Sequence, residues 1–160
     1  MWPEQGLPLA FLDMNGSETK HEAGYSNAEE ALLVADVVGE FLDGDAAKVV
    51  VLSPYARQVK RIEGALRRAG VADVVVGSVD SFQGQEADVV VFSATRSNER
   101  GALGFVRDPR RLNVALTRAK RGLVVVGDAT TLSNSQHWAA LIDSCRRRGC
   151  VVDLRLSSDV

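Results

Sequence analysis

KVVVLSPYARQVKRIEGALRRAG, residues 48–70, decides the fold class. It opens with a run of β-branched and aliphatic residues, which favours a strand buried on both faces rather than an alternating half-exposed one. Ser53 and Pro54 follow, a pair that fits a helix N-cap with proline at the first helical position. Val59, Ile62, Leu66 and Ala69 then recur at helical spacing, and Gly70 stands where a helix stops. This is one strand–helix unit. Around it the pattern repeats: apolar runs at residues 9–14, 74–79, 88–94, 123–127 and 150–154 read as strands. Helical patterns occupy the stretch opened by Ser26-Asn27-Ala28-Glu29, which reads as a capping box, the stretch opened by Asp108-Pro109, and the stretch around Trp138, Leu141, Ile142 and Cys145. Residues between the first strand and the capping box read as a polar loop. Valine-rich runs alternating with helices predict an α/β, three-layer fold, a mostly parallel sheet with helices on both faces. The turn between residues 79 and 88 is shorter than the dozen or so residues of a usual parallel crossover, which leaves the relative direction of its two strands open.

The 160 residues carry 46% hydrophobic and 25% charged side chains, a balance that excludes collagen, low-complexity disorder and disulfide scaffolds. Net charge is −2, yet its distribution is uneven: residues 1–47 hold ten acids and one base, whereas residues 48–160 hold eighteen bases and eleven acids. That asymmetry points to an anionic partner for the second part. Cys145 and Cys150, with His137 nearby, are too few for a disulfide framework or a closed zinc site, and no metal site is expected. No run reaches the ~20 apolar residues of a membrane span, and the start lacks a basic leader region. The expectation is an intracellular chain, cytoplasmic or nuclear, with no membrane partner.

Ligands of open α/β sheets gather outside the carboxyl ends of the strands, so the loops after the valine runs are where chemistry is expected. Residues 80–86, DSFQGQE, set five polar side chains around one aromatic and one glycine. Glycine permits close backbone approach and Gln and Ser offer donors, although an ordinary polar turn has the same composition. Residues 110–121, RRLNVALTRAKR, read as a helix crowded with five cations and no acid, an arrangement that repels itself unless anions compensate. Arg111 and Arg118 stand seven residues apart and share a face. They are either part of a solvated basic surface or forks that hold phosphate. The Arg146-Arg147-Arg148 run reads as a solvated helix end.

VDSFQGQEADVVVFSATRSN (79–98) followed by GFVRDPRRLNVALTRAKRGLVVVGD (104–128) resembles motifs V and VI of superfamily 1B helicases, in the family of the RNA-surveillance and immunoglobulin-mu-binding helicases. VVVLSPYARQV (49–59) resembles the same family's motif IV, and GYSNAEEA (24–31) its lead-in. The resemblance spans about residues 9–153. It implies a second RecA-like (P-loop NTPase-like) domain, residues 1–160 with a core at about 9–154, that shares ATP with a first RecA-like domain in cis or in trans and lies on single-stranded RNA or DNA. On that resemblance Arg118 falls on the arginine finger and Arg111 on a second motif VI arginine. Glu86 falls on the motif V acid that contacts nucleotide, and Gln83 and Gly84 on the segment that couples nucleotide to nucleic acid. Ser53, Pro54 and Tyr55 match the motif IV loop along the nucleic-acid track, with Ser81, Thr95 and Arg96 as further phosphate contacts. Bland alternatives stand beside these: Tyr55 as a packing residue, Glu86 as half of an ion pair. No G-x-x-x-x-G-K-[ST] occurs in the sequence and no Walker B acid follows a strand, so the Mg²⁺ that accompanies ATP is expected to be ligated outside this chain. A non-catalytic nucleic-acid- or protein-binding module that keeps the fold is the alternative.

Overall fold

The computed structural model describes residues 8–44, 48–82 and 85–155. Along the chain run β1 (Leu9–Asp13), β2 (Glu18–Lys20), β3 (Tyr25–Asn27), α1 (Ala28–Leu42), β4 (Val49–Ser53), α2 (Ala56–Arg68), β5 (Val75–Ser78), β6 (Ala87–Ser93), α3 (Pro109–Arg118), β7 (Ala119–Gly127), α4 (Ala129–Leu132), α5 (Gln136–Arg147) and β8 (Val151–Asp153). Short 3-10 turns occupy Asp80–Phe82 and Gly104–Arg107.

β-Branched side chains fit the pleated surface, and six of these strands form one sheet in the order β5-β4-β6-β7-β1-β8. Every pairing in it is parallel. The connections through α1 and α2 step along the sheet one way, and those through α3 and α5 step the other. Right-handed crossovers then require the two helix pairs to lie on opposite faces. The core divides accordingly. Val49, Val51, Val89, Val91, Val124 and Val126 pack toward α1 and α2. Their strand neighbours Val50, Leu52, Val90, Phe92, Leu123 and Val125 pack toward α3 and α5. Phe92 lies 6.0 Å from Trp138, centroid to centroid, and truncating it to Ala would cost about 3–5 kcal/mol.

Several local expectations change. The polar stretch after β1 is an antiparallel hairpin, β2 with β3, rather than a loop. Pairing with β2 draws Ser26 into the strand, so Asn27 is the N-cap of α1, its Oδ1 accepting from the Glu30 amide at 3.1 Å. Pro54 lies outside α2, whose N-cap is Tyr55. Ser53 is the last residue of β4, opposite Ser78, and its Oγ accepts from the Tyr55 amide at 3.3 Å. α3 ends at Arg118, so Lys120 and Arg121 belong to β7, not to a five-cation helix. α4, capped by Asp128, has no counterpart in the sequence reading. β5 and β6 do not pair; each flanks β4, and both run parallel to it.

Candidate functional site

α3 begins beyond the carboxyl end of β6 and ends at the amino end of β7, so it descends the sheet face from one edge to the other. Residues 79–82 leave the carboxyl end of β5, and Gln85 and Glu86 enter the amino end of β6. The ends of helix and connector therefore lie at the same two edges. High on this strip Arg111 Nη2 lies 3.7 Å from Asp80 Oδ2. At its foot the register sets Ala87 opposite Ala119, which makes Glu86 and Arg118 the residues immediately before a matched pair. Glu86 bonds Lys120 Nζ at 3.2 Å, both side chains about 60% exposed. Arg118 is half-buried, and its Nε is fully shielded with no hydrogen-bond partner among the described residues. Gln83 and Gly84 lie outside the described residues. Ser81 is exposed in the 3-10 turn, its Oγ donating to Ser78 O at 2.8 Å.

The carboxyl edge differs in kind. Glu30, buried on α1, accepts from Ser93 Oγ at 2.6 Å and from the Thr95 amide at 2.7 Å. Burial pushes its carboxyl up to about 7, against the lowering effect of those two donors. Thr95 holds a left-handed backbone (φ 76°), a conformation that these donors and acceptors stabilise, with Asn27 Nδ2 donating to Thr95 O at 3.1 Å. Its Oγ1 shares a hydrogen bond with Ser53 Oγ at 3.2 Å. Gln58 fastens α2 here: its Oε1 accepts from the Asn27 amide, and its Nε2 donates to Asn27 O and Ser93 Oγ.

Arg96 is 2% exposed and points inward, its Nε and Nη2 donating to Glu18 on β2. Burial works against its charge and the Glu18 bonds outweigh that, so its pKa stands above the ordinary arginine value. Glu18 also accepts from the Ser97 amide and Asn98 Nδ2. Tyr55 is buried, its hydroxyl donating to Leu103 O at 2.9 Å. Ser53, Thr95 and Arg96 thus hold the edge loops from inside, with all three residues buried. What does face outward is a cleft of ≈ 700 Å³ whose lining includes Ser17, Lys20, Asn98, Arg100 and Arg155. Sequence reasoning missed these. Lys20 carried a signal as the single base of an acidic segment, but Arg155 joins the cleft only through the pairing of β8 with β1.

The sequence profile described as an AAA domain matches residues 1–130. The chain belongs to that AAA domain family. Within the same comparisons it is 35% identical over 167 residues to the regulator of nonsense transcripts 1 of Dictyostelium discoideum, covering 98% of this chain and 12% of that protein. It is 38% identical over 162 residues to the ATP-dependent helicase NAM7 of Saccharomyces cerevisiae, covering 95% of this chain and 17% of that one. The chain spans less than a fifth of either relative. The fold matches the C-terminal domain of the DEAD-box protein Dbp5 with a TM-score of 0.55 at 11% identity, over 97% of this chain and 92% of that one. The RecA-like architecture and the likeness to RNA-surveillance helicases expected from motifs V and VI therefore hold for this AAA domain. No helix among the described residues is long and apolar enough to cross a membrane.

Proposed function

We propose that this chain is the second motor domain of an ATP-dependent superfamily 1 helicase acting on RNA or DNA, with residues 1–160 forming one RecA-like unit. A first RecA-like domain, in cis or in trans, would bring the P-loop and the Mg²⁺ ligands. The observation that carries the reading is the shielded Nε of Arg118, which has no partner among the described residues. A buried guanidinium donor without an acceptor is costly, so the arrangement becomes favourable when an anion arrives from outside. A phosphate fits that requirement, and the matched position of Glu86 beside it gives a nucleotide a carboxylate to meet.

ATP supplies the phosphoryl group whose hydrolysis drives the motor. Arg118 acts as the arginine finger, neutralising charge that develops at that group. Arg111, two turns above on the same helix face, supports nucleotide binding and domain closure. Glu86 contacts the nucleotide, and Gln83 and Gly84 link it to the nucleic acid. Ser81 and Pro54 lie along the single-strand track, while Ser53, Tyr55, Thr95 and Arg96 shape its loops from beneath. Strand binding driven by phosphate neutralisation would weaken linearly in log–log with salt.

The test is ATP hydrolysis by the purified chain, with and without single-stranded RNA and DNA, repeated with a P-loop-bearing first domain added. Background turnover alone and strand-stimulated turnover with the partner are expected. Turnover by the chain alone, abolished by Arg118→Ala, would show that it binds nucleotide unaided and would sink the two-domain reading.

A further inference from the structure

A column of stacked groups joins the carboxyl-edge network to α3. Arg96, paired to Glu18, lies over the Tyr25 ring with Cζ 3.7 Å from its centroid. Tyr25 meets Tyr55 edge-on, centroids 5.8 Å apart at 80°. Tyr55 stacks on Phe105 at 5.7 Å and 27°. Arg111 Cζ then lies 4.8 Å over the Phe105 centroid. The six residues come from β2, β3, the start of α2, the loop after β6, the second 3-10 turn and α3.

The column is constrained at its middle. The Tyr55 hydroxyl donates to Leu103 O and accepts from Arg96 Nη1 at 3.4 Å. Gly104 has φ +55°, and a Cβ there would lie 2.7 Å from Arg96 Nη1 and 3.0 Å from the Tyr55 hydroxyl. Backbone, ring and guanidinium are thus in close contact at this point, and only glycine fits. The far end is different. Phe105 is 58% exposed, with Tyr55 stacked on it and the Arg111 guanidinium 4.8 Å over its ring. Among the described residues Arg111 makes one ion pair, to the 71% exposed Asp80 at 3.7 Å, which restrains little, and its Nη1 donates a long hydrogen bond to Phe105 O at 3.5 Å. The ring adds a directional restraint, because cation–π attraction favours the guanidinium lying over the ring face.

We propose that Tyr55 and Phe105 are positioning residues: they orient the Arg111 guanidinium and make it respond to what engages the Glu18–Arg96 pair at the carboxyl-edge cleft. What that response serves rests on the proposed function; the coupling itself does not. A strand entering beside Lys20 and Asn98 meets the hairpin that carries Glu18. Any shift of Glu18 is passed to Arg96, then through three rings to Arg111.

The test follows the Arg111 Nε–Hε resonance of the full chain by NMR, assigned by its loss in Arg111→Lys. The ring current of Phe105 should displace this resonance. Phe105→Leu should abolish the displacement and Phe105→Tyr should retain it. Tyr55→Phe, which keeps the ring and its packing, and Glu18→Gln should both move it, although neither residue touches Arg111. An Arg111 resonance unmoved by both variants, with a folded amide spectrum, overturns the coupling. Adding a single-stranded oligouridylate should move it in the wild type and not in Phe105→Leu. Binding without movement overturns the coupling. Absence of binding instead counts against the proposed function, and the variant series still decides the column. With a P-loop partner present, strand stimulation of ATP hydrolysis should fall about 2- to 30-fold in Phe105→Leu and return in Phe105→Tyr.

Discussion

The two edges of the sheet are built on opposite rules. At the carboxyl edge most buried charges are answered from within: Arg96 by Glu18, Asp128 by Arg155 Nη2 at 2.6 Å and by Ser97 Oγ, Asp13 by the Ala129 amide; the exception among the described residues is Glu30, whose Oε1 is bonded while its Oε2 is shielded without a partner. At the amino edge Arg118 has a shielded Nε with no acceptor among the described residues, and Glu86 and Lys120, about 60% exposed, pair with each other. A satisfied network in a low-dielectric setting is stiff, because moving any member strands the others. An unsatisfied one is a receptor. The difference teaches where to look for chemistry: the carboxyl edge supplies a platform, and the amino edge is where the proposed partner domain would meet this one.

The largest expected effect tests the amino edge. With a P-loop domain supplied, Arg118→Ala should lower kcat about 10³- to 10⁵-fold, the contribution of an arginine finger. Its melting temperature should stay at or slightly above the wild-type value, since a costly orphan donor is removed. A large loss of stability would mean that Arg118 is part of the scaffold, and the contrast between edges would fail. The next effect tests the carboxyl edge. Glu18→Ala leaves the Arg96 charge buried without its partner and should cost about 3–5 kcal/mol in denaturant unfolding. A cost under about 1 kcal/mol would reclassify the pair as a surface bridge.

Glu30 gives the carboxyl edge a pH signature. Its folded-state pKa is about 7 against an ordinary 4.5, so the folded chain binds more protons than the unfolded chain between those values. The stability it contributes is complete below about pH 4.5 and is lost as pH rises through about 7. The shift corresponds to about 3 kcal/mol across that window. Glu30→Gln should flatten this part of the profile while the flanking regions keep their shape. An unchanged slope would mean that Glu30 is ionised and fully compensated at both ends of the window.

Much of this was legible in residues and some was not. The valine runs announced six strands, and RRLNVALTRA with SFQGQE announced the strip on which Arg111 and Arg118 lie, because local propensity and motif spacing are properties of the chain itself. The inward turn of Thr95 and Arg96 was not legible. It depends on Glu18, seventy-eight residues from Arg96, and on Glu30, sixty-five from Thr95. Long-range partners of this kind leave no periodic trace. The one-residue displacement of the α1 cap from Ser26 to Asn27 has the same origin, since the β2–β3 pairing that causes it is a tertiary event. Lys120 and Arg121 moved from helix to strand because the pairing of Ala119 with Ala87 prevailed over helix propensity.

The smallest expected effect is the sharpest discriminator between edges. Glu86 and Lys120 are about 60% exposed, so Glu86→Gln should change stability by only about 0–1 kcal/mol. If its carboxylate serves only that ion pair, nothing else should change. If the amino edge receives a nucleotide, the same variant should raise KM for ATP in the reconstituted pair and leave strand affinity at the carboxyl edge untouched, because Glu86 lies at the opposite end of β6. A change in strand affinity without a change in KM would reverse the assignment of the edges. The motif resemblance would then have matched the residues but not their roles.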